Sequence, residues 1–349
     1  MTFASDNWAG AAPEVLEAIA RANDGAAPSY GVDDYTKKIA GRISERFERD
    51  CAVYFVATGG AANGLALSVL APSYGMVFCH EESHVQMDEC AGPEFFTGGA
   101  KLIPVAGSGG KMTADGFAKA LKGFPHRPPH GAPPSALSLT QATECGALYS
   151  VDELKALCEA AHDADMTVHM DGARFANAVA ASGASPATLT WKAGVDVLCF
   201  GGTKNGCIAA EAVVFFNPEM AKDFEFRRKR AGHLWSKMRF IAAQFDAYLA
   251  DDLWLRLAAH ANAMAARLSS GLGSIKGVEI SYPTQINEVF ACFPGDAAER
   301  LRANGEFFYP WITPGDPASG RMNRLITSFR TTEQEVDGFV ERVAAAAHS

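Results

Sequence analysis

The sequence predicts an α/β protein in which a large, mostly parallel β-sheet is followed by a smaller α+β domain. Short β-rich runs alternate with helical patterns up to about residue 220, and this alternation ends after about residue 236. Strand, helix and strand repeated in this way indicate parallel strands whose helical crossovers cover both faces of the sheet. The length of 349 residues agrees with about two domains of ordinary size.

The segments between the strands carry helix-start signals. Pro13 occupies a first-turn position ahead of an apolar stripe, and Ser150 with Glu153 forms a capping box. The proline-rich segment 123–135 is predicted to be a loop. Seven β-rich runs are the predicted strands of the large sheet: 52–57, 75–80, 101–105, 136–142, 166–171, 195–200 and 212–216.

The pattern changes in the last third of the chain, where residues 237–270 form a long, mainly helical stretch. A final helix is predicted to begin at Thr332, because Glu335 completes a capping box there. We therefore predict a large domain with an N-terminal arm over residues 1–240 and a small domain over residues 241–349. Three short strand candidates belong to the small domain: 278–282, 288–293 and 324–329.

The composition argues against several classes of protein. Forty acidic against 31 basic residues leave a net charge of −9, which disfavours a nucleic acid or an anionic membrane as partner and favours a small-molecule substrate. The N-terminus lacks a secretory signal and no apolar run is as long as a membrane span, so we expect a cytoplasmic protein. The eight cysteines include no C-x-x-C pair, and we predict no metal site.

Three predicted strand ends carry unusual residues, and ligands of an open parallel sheet collect at these ends. The run 58–63, TGGAAN, leads into an apolar helix whose N-terminus could bind phosphate. Asp171 ends a later strand with Arg174 close behind it, and Lys204 lies in a glycine-flanked turn after the next strand. Taken singly, these are explained by a glycine turn, a helix cap with a surface arginine partner, and a solvated lysine.

Together, in this order, the three features are those that pyridoxal 5′-phosphate requires. A helix N-terminus binds the phosphate, a carboxylate pairs with the pyridine nitrogen, and a lysine amine forms the Schiff base. Because all three features occur together, their chance coincidence is the less favoured explanation. A nicotinamide dehydrogenase is disfavoured because the glycine turn lacks the G-x-G-x-x-G pattern.

The chain resembles the fold-type-I pyridoxal-phosphate enzymes, which share the aspartate aminotransferase fold, and within them the low-specificity L-threonine aldolases. This implies cleavage of L-threonine, L-allo-threonine and related β-hydroxy-α-amino acids to glycine and an aldehyde. The alternatives are an aminotransferase, a β-eliminating lyase or a racemase with the same cofactor, or a non-catalytic binding module. The segments that carry the resemblance are Ser5-Asp6-Asn7, GGAAN at 59–63, HEESH at 80–84, HMDGAR at 169–174, Thr203-Lys204 and the strand that begins at Arg324.

The resemblance implies that Lys204 is the Schiff-base lysine and that Asp171 pairs with the pyridine nitrogen. Arg174 is expected beside the cofactor's phenolic oxygen. His84 is expected to stack on the pyridine ring, and it is a candidate base. The phosphate-binding backbone amides are those of Gly59, Gly60 and Ala61.

The resemblance also assigns residues to the substrate. Arg324 matches the arginine that binds the α-carboxylate, with Ser5 as a second contact. On the residues alone, Arg321 and Arg330 are equal alternatives to Arg324.

Two further segments are placed near the substrate by the same resemblance. Thr143 and Glu144 are expected near the substrate hydroxyl. His130, in the proline-rich loop, is a second candidate base, although His126 lies in the same loop.

The resemblance implies a homo-oligomer with shared active sites, a dimer at least and usually a tetramer. Residues 227–230 form a basic cluster that is typical of a solvated helix face or an intersubunit contact. Lys229 or Arg230 is expected to reach a neighbour's cofactor phosphate. Tyr30 and Tyr35 are also expected to reach across the interface, with Tyr30 as a substrate-binding residue.

Overall fold

The computed structural model describes residues 2–125, 127–312 and 320–347. It contains two β-sheets. The large sheet consists of β1 (Ala52–Val56), β2 (Met76–His80), β3 (Lys101–Val105), β4 (Pro134–Thr140), β5 (Thr167–Gly172), β6 (Val197–Gly201) and β7 (Glu211–Phe215). The small sheet consists of β8 (Glu279–Ile280), β9 (Glu288–Cys292), β10 (Tyr309–Pro310) and β11 (Met322–Ile326).

The large sheet has the strand order β1-β7-β6-β5-β4-β2-β3 and is parallel except at β7. The predicted α/β fold with a large, mostly parallel sheet is therefore confirmed, and all seven predicted strands are present. β7 runs antiparallel to both of its neighbours, so that its first residue, Glu211, pairs with Val56 and with Gly201. The amino end of β7 thus lies at the edge where the other strands end.

Helices cover both faces of the large sheet. One apolar core lies beneath the helices that contain Val15, Ile39, Leu154 and Phe245, and a second core lies beneath the helix that contains Leu65. The helices are α1 (Pro13–Ala22), α2 (Asp34–Arg46), α3 (Gly59–Leu70), α4 (His84–Met87), α5 (Gly92–Thr97), α6 (Ala114–Lys122), α7 (Val151–His162), α8 (Phe175–Ser182), α9 (Phe224–Arg230), α10 (Arg239–Leu249), α11 (Leu253–Gly273), α12 (Ala297–Ala303) and α13 (Glu333–Ala347).

The predicted helix starts are confirmed. Pro13 is the first residue of α1. The hydroxyl of Ser150 accepts from the Glu153 amide and the Glu153 carboxylate accepts from the Ser150 amide, which closes the capping box of α7. The same reciprocal bonds join Thr332 and Glu335 at the start of α13.

The small antiparallel sheet, in the order β10-β11-β9-β8, packs against α11 and α13. The N-terminal arm belongs to this unit: Phe3 is buried in its core, the Phe3 amide donates to the Phe307 carbonyl, and the Ile326 amide donates to the Phe3 carbonyl. After this contact, a short 3₁₀ helix at Asp6–Trp8 brings the arm towards the large sheet.

The predicted helical stretch 237–270 is two helices, because Asp251 and Asp252 adopt left-handed φ angles of 48° and 52° between α10 and α11. Along α11, the core of the large sheet extends to Ala258, and the core of the small sheet begins at Met264. The apolar cores therefore divide within α11, and the boundary at residue 240 stays a prediction. In the described ranges, no helix combines the length and the apolar character needed to span a bilayer.

Candidate active site

The carboxyl ends of the parallel strands open onto a cavity of about 370 Å³. The residues around it come from the ends of β4 and β5, from the segments after β1, β2, β4, β5 and β6, and from the start of β7. The N-terminal arm contributes Asn7. Parallel strands bring distant parts of the chain to one edge in this way. The predicted site residues that line the cavity are Gly59, Gly60, His84, Glu144, Asp171, Arg174 and Lys204.

The amino end of α3 faces the cavity with two free backbone donors. The Thr58 hydroxyl accepts from the Ala61 amide at 3.4 Å, and the Thr58 carbonyl accepts from the Ala62 amide at 3.0 Å. The amides of Gly59 and Gly60 precede the first intrahelical bond and have no acceptor within the helix. A Cβ added at Gly59 would meet nothing within 4 Å. The predicted third donor, the Ala61 amide, is used by the helix cap.

Asp171 is buried at the tip of β5 and accepts two hydrogen bonds. Its Oδ1 accepts from the Ala173 amide at 2.9 Å, and its Oδ2 accepts from the Asn63 side-chain amide at 2.8 Å. Burial alone would raise the pKa of this carboxyl, but the neighbouring His84, the Ala173 amide and Lys204 together hold the pKa below its ordinary value. Asp171 is therefore an ionised carboxylate. Asn63 was part of the predicted cradle, but its contact with Asp171 was not predicted.

Lys204 lies in a 3₁₀ turn, Thr203–Asn205, that follows β6. Gly206 ends the turn with a φ of 103°, a conformation that side chains other than glycine rarely adopt. The side-chain amide of Asn205 donates to the hydroxyl of Tyr248 at 2.8 Å and anchors the turn to α10. Because β5 and β6 are adjacent, this turn brings Lys204 to the cavity beside the tip of β5.

His84 begins α4 and is held by a buried carboxylate. Its Nδ1 lies 2.8 Å from Glu89 Oε1, which also accepts from the Asn63 amide at 2.8 Å. The bond to Glu89 raises the pKa of His84 against the effect of burial. The ligand atoms of His84, Glu89 and Asp171 lie within 4.8 Å of one another, a spacing that a metal ion could use. Each of these residues already has a protein hydrogen-bond partner, as described above.

Two further buried carboxyls line the cavity. Glu144 Oε1 accepts from the His84 amide at 2.7 Å, and Glu211 Oε1 accepts from the Thr203 hydroxyl at 2.6 Å. Burial is the main cause that raises the pKa of each to about 7, and the negative charge of Asp171 adds to it. Glu211 was not predicted, because the carboxyl ends of parallel strands do not include it: antiparallel β7 brings its amino end to this edge.

Arg174 is bound by the N-terminal arm. Its Nε donates to Asp6 Oδ2 at 2.8 Å and its Nη2 donates to Asp6 Oδ1 at 3.2 Å, while Asn287 also donates to Asp6 at 3.1 Å. Arg174 Nη2 lies 3.4 Å from Glu288 Oε1. All four residues are buried. The ordinary interpretation of Arg174 as a surface partner of Asp171 is therefore wrong. Neither Asp6 nor Glu288 had been given a role.

Arg324 lies on β11 with its guanidinium 4.9 Å from the centre of the Trp311 ring. It is half-buried, and its Nε has no hydrogen-bond partner among the residues described. It interacts electrostatically with Glu288, and so belongs to the charge network around the arm. The alternatives lie elsewhere: Arg321 is exposed beside a separate depression, and Arg330 donates to a backbone carbonyl of the N-terminal arm.

Arg324 is not among the residues that line the cavity, and neither are Ser5, Thr143 and His130. The Ser5 hydroxyl accepts from an amide of the 3₁₀ helix in the arm, and the Thr143 hydroxyl donates to a loop carbonyl at 2.8 Å. His130 is exposed in the proline-rich loop, and His126 falls outside the described residues. Their predicted roles stay predictions.

The residues expected at a subunit interface lie on the surface of one chain. Lys229 Nζ sits 4.6 Å from the centre of the Tyr30 ring, and Tyr30 is 45% exposed. Arg230 is exposed as well. The Tyr35 hydroxyl donates to Asp246 at 2.9 Å within the same chain. The intersubunit roles stay predictions.

The residues present fit pyridoxal 5′-phosphate. Two free amides at a helix N-terminus suit a phosphate, and an ionised buried carboxylate suits a protonated pyridine nitrogen. A lysine amine opens on the same cavity from the neighbouring strand, and the half-exposed His84 ring is close by. Each requirement is met by a separate observation of this structure.

Comparisons with known proteins agree with this site. A family model described as beta-eliminating lyase matches residues 2–293. The chain is 46% identical over 335 residues to a low specificity L-threonine aldolase of Pseudomonas sp. (strain NCIMB 10558), covering 96% of this chain and 94% of that one. It is 47% identical over 314 residues to a low specificity L-threonine aldolase of Pseudomonas aeruginosa, covering 90% of each. The structure of a Leishmania major threonine aldolase matches with a TM-score of 0.91 and 27% identity over 99% of both chains.

The fold and the site thus define a lyase, and the chain belongs to the beta-eliminating lyase family. Within that family it groups with the low-specificity L-threonine aldolases, as its two bacterial relatives show over nearly their whole length. The resemblance stated from the sequence is confirmed.

Proposed function

We propose that this chain binds pyridoxal 5′-phosphate in the cavity and cleaves L-threonine, L-allo-threonine and related β-hydroxy-α-amino acids to glycine and an aldehyde. The observation that carries the proposal is the convergence of Asp171, Lys204 and the amino end of α3 on one cavity. The bacterial relatives named for L-threonine cleavage support the substrate class.

When bound, pyridoxal 5′-phosphate supplies an electron-withdrawing ring that can take up the electron pair of the broken Cα–Cβ bond. Lys204 contributes the amine that would bind the cofactor covalently and that the substrate amine would replace. Asp171, ionised at neutral pH, holds a proton on the pyridine nitrogen. The amides of Gly59 and Gly60 would bind its phosphate, and the His84 ring would lie beside the pyridine.

Arg324 is the proposed partner of the substrate α-carboxylate. Of the three candidate arginines, it belongs to the charge network around Arg174 and has a buried nitrogen without a partner in the described part of the chain. A guanidinium can bind a carboxylate through two parallel hydrogen bonds, which fixes the substrate's orientation. Ser5 remains a proposed second contact.

We further propose that the active site is completed in a homo-oligomer, a dimer at least and a tetramer in its full form. Large apolar side chains exposed on this chain support the proposal: Tyr30 is 45%, Trp235 42% and Ile208 53% exposed, and Ile208 lines the cavity. In such an assembly, Lys229 or Arg230 would reach a neighbour's phosphate. The cytoplasmic location stays a prediction.

Product analysis tests the proposed reaction. The purified chain, supplied with pyridoxal 5′-phosphate, is incubated with L-threonine, L-allo-threonine and L-phenylserine. We expect glycine together with acetaldehyde or benzaldehyde in equal amounts. Keto-acid products, ammonia release or inversion at Cα without an aldehyde would instead indicate a transaminase, an eliminating lyase or a racemase.

Lys204→Ala tests the assignment of the lysine. We expect the variant to lose both turnover and the visible absorption band that borohydride abolishes in the wild-type protein, because no other amine would hold the cofactor. A variant that kept both would contradict the assignment.

A further inference from the structure

One buried carboxylate oxygen of a cavity-lining residue has no protein partner in the described part of the chain. Glu144 follows β4, is 8% exposed and lines the cavity. Its Oε1 is fixed by the His84 amide at 2.7 Å, whereas its Oε2 has no hydrogen-bond partner within residues 2–125, 127–312 and 320–347. An unpaired buried carboxylate oxygen costs free energy, so its presence at a binding cavity indicates that a ligand group is its partner.

The other candidate bases at the cavity are already engaged. Asp171 accepts hydrogen bonds at both oxygens, and Glu211 accepts the Thr203 hydroxyl. His84 Nδ1 is bound to Glu89, and its ring is the one suited to cover the pyridine. Glu144 and Glu211 are both buried cavity carboxyls whose Oε1 is hydrogen-bonded, but Glu211 begins β7, which pairs with β6 on the lysine side of Asp171. Of these two, Glu144 has the fully buried oxygen, Oε2, that has no partner in the described ranges.

The strand order separates Glu144 from the lysine. β5 lies between β4 and β6, so Glu144 and Lys204 face the cavity from opposite sides of Asp171. A substrate β-hydroxyl on the side of the cavity away from Lys204 would therefore have Glu144 as a neighbour.

We propose that Glu144 is the catalytic base that accepts the β-hydroxyl proton, an inference that rests on the proposed function. The proton passes from the hydroxyl to Oε2, and the O–H electron pair forms the C=O bond of the leaving aldehyde. The Cα–Cβ pair remains with Cα, and a later protonation of Cα gives glycine. No oxidant or reductant is consumed. His130 then has no part in the proton transfer, and His84 acts through its ring.

The acid-base behaviour of Glu144 agrees with this role. Burial, with the charge of Asp171, raises the pKa of Glu144 to about 7. The ionised fraction therefore increases as pH rises through neutrality, and a base with a pKa near the working pH is the most effective. The titratable and charged groups that interact with Glu144 are His84, Asp171, Arg174, Cys79, Cys145 and Tyr149.

Glu144→Gln separates the hydroxyl step from the rest of catalysis. We expect kcat for L-threonine cleavage to fall by about 10²- to 10⁴-fold, the usual contribution of a general base. Exchange of the α-hydrogens of glycine in D₂O, followed by NMR, should persist, since glycine has no hydroxyl. The dissociation constant of pyridoxal 5′-phosphate should also be unchanged. In Glu144→Ala, added formate should restore part of the cleavage rate.

Glu159→Gln is the matched control, because Glu159 is exposed on α7 and the same substitution there should leave cleavage unchanged. Glu144→Gln with full cleavage, or with equal losses of cleavage and glycine exchange, would overturn the proposal. The proposal would also be overturned if the single substitution His130→Gln abolished cleavage. If the wild-type protein released no glycine from threonine, the proposed function itself would fail, so the two failures are distinguishable.

Discussion

The two halves of the active site are assembled in different ways. We call Asp171, Lys204 and the amino end of α3 the strand-tip half, because they lie at the carboxyl ends of β5, β6 and β1, at one edge of the same sheet. The other half, which we call the arm half, is a buried charge network drawn from the N-terminal arm, the large sheet and the small sheet: Asp6, Arg174, Glu288 and Arg324.

The difference shows which part of the site the sheet builds and which part depends on domain packing. Hydrogen bonds between adjacent strands set the positions of the strand tips, so the strand-tip half is suited to a rigid, permanently held cofactor. The arm half exists only where the arm and the small sheet contact the large sheet. We propose that it binds the substrate carboxylate, which arrives and leaves with each turnover. Variants in the strand-tip half should therefore leave the KM for the substrate unchanged. Variants of the substrate-binding residue in the arm half should leave the affinity for the cofactor unchanged.

The largest effect is expected in the strand-tip half. Asp171→Asn removes the ionised carboxylate, and we expect kcat for L-threonine to fall by about 10²- to 10³-fold, the size of a lost electrostatic contact at a reacting centre. The KM for threonine should change little. Asp163→Asn, an exposed position at the end of α7, is the control. A large rise in the KM for threonine with a normal kcat would contradict the division of the site into these two halves.

The next effect concerns stability. Asp6→Asn removes the ionised carboxylate that accepts two hydrogen bonds from the buried Arg174, and we expect the free energy of unfolding to fall by about 3 kcal/mol. Denaturant titration measures it. Asp34→Asn is the control: it breaks an exposed pair with Lys37 and should change stability by less than about 0.5 kcal/mol.

The Asp6 effect has a defined pH dependence. Burial would raise the pKa of Asp6, but Arg174 and Lys204 outweigh it and hold the pKa below the ordinary value. A depressed carboxyl pKa stabilises the protein above its unfolded-state value and stops doing so as pH falls through the folded-state value. The difference between wild type and Asp6→Asn should therefore shrink in acid. A difference that grew in acid would contradict the pairing.

A smaller effect is expected for the substrate side of the arm half. Arg324→Gln removes the proposed carboxylate contact, and we expect the KM for threonine to rise by about 10- to 100-fold, as for a lost charge-assisted hydrogen bond. The affinity for pyridoxal 5′-phosphate, measured by fluorescence quenching, should stay the same. Arg321→Gln, at an exposed position, should alter neither quantity. If Arg324→Gln raised the KM for threonine and weakened the binding of pyridoxal 5′-phosphate by the same factor, the distinction between the two halves would be contradicted.

The smallest effect concerns Glu211. Burial raises the pKa of Glu211 to about 7, so the folded state binds more protons than the unfolded state between pH 4.5 and about 7, and wild-type stability falls as pH rises through that range. Glu211→Gln keeps an acceptor for Thr203 without the charge. We expect it to exceed wild-type stability by about 2 kcal/mol at pH 8 and to match it near pH 5. Equal stability at both pH values would contradict this.

The sequence predicted the strand-tip half well for a physical reason. Alternating strand and helix patterns place every carboxyl end of a parallel sheet at one edge, so Asp171, Lys204 and the cradle could be grouped without coordinates. The rule about carboxyl ends does not apply to an antiparallel strand. The amino end of β7 therefore brings Glu211 to the same edge, and this was not predicted. The break at Asp251 and Asp252 was missed because left-handed aspartates leave no gap in a helical pattern.

The arm half was harder to predict because it depends on long-range packing. Asp6 and Arg174 are separated by 168 positions, and Asp6 and Asn287 by 281. No periodicity connects such residues. A buried Glu288 between two arginines looks in the sequence like any glutamate at the start of a strand. Arg324 was chosen through family resemblance, and its neighbours explain why it differs from Arg321 and Arg330.

Peptide mapping is the most direct test of the claim that the strand-tip half binds the cofactor. The protein loaded with pyridoxal 5′-phosphate is reduced with borohydride, digested and analysed by mass spectrometry. We expect the pyridoxyl group on the peptide that contains Lys204 and on no other. A label on another lysine, such as Lys229 in the basic cluster, or no label at all, would contradict the account.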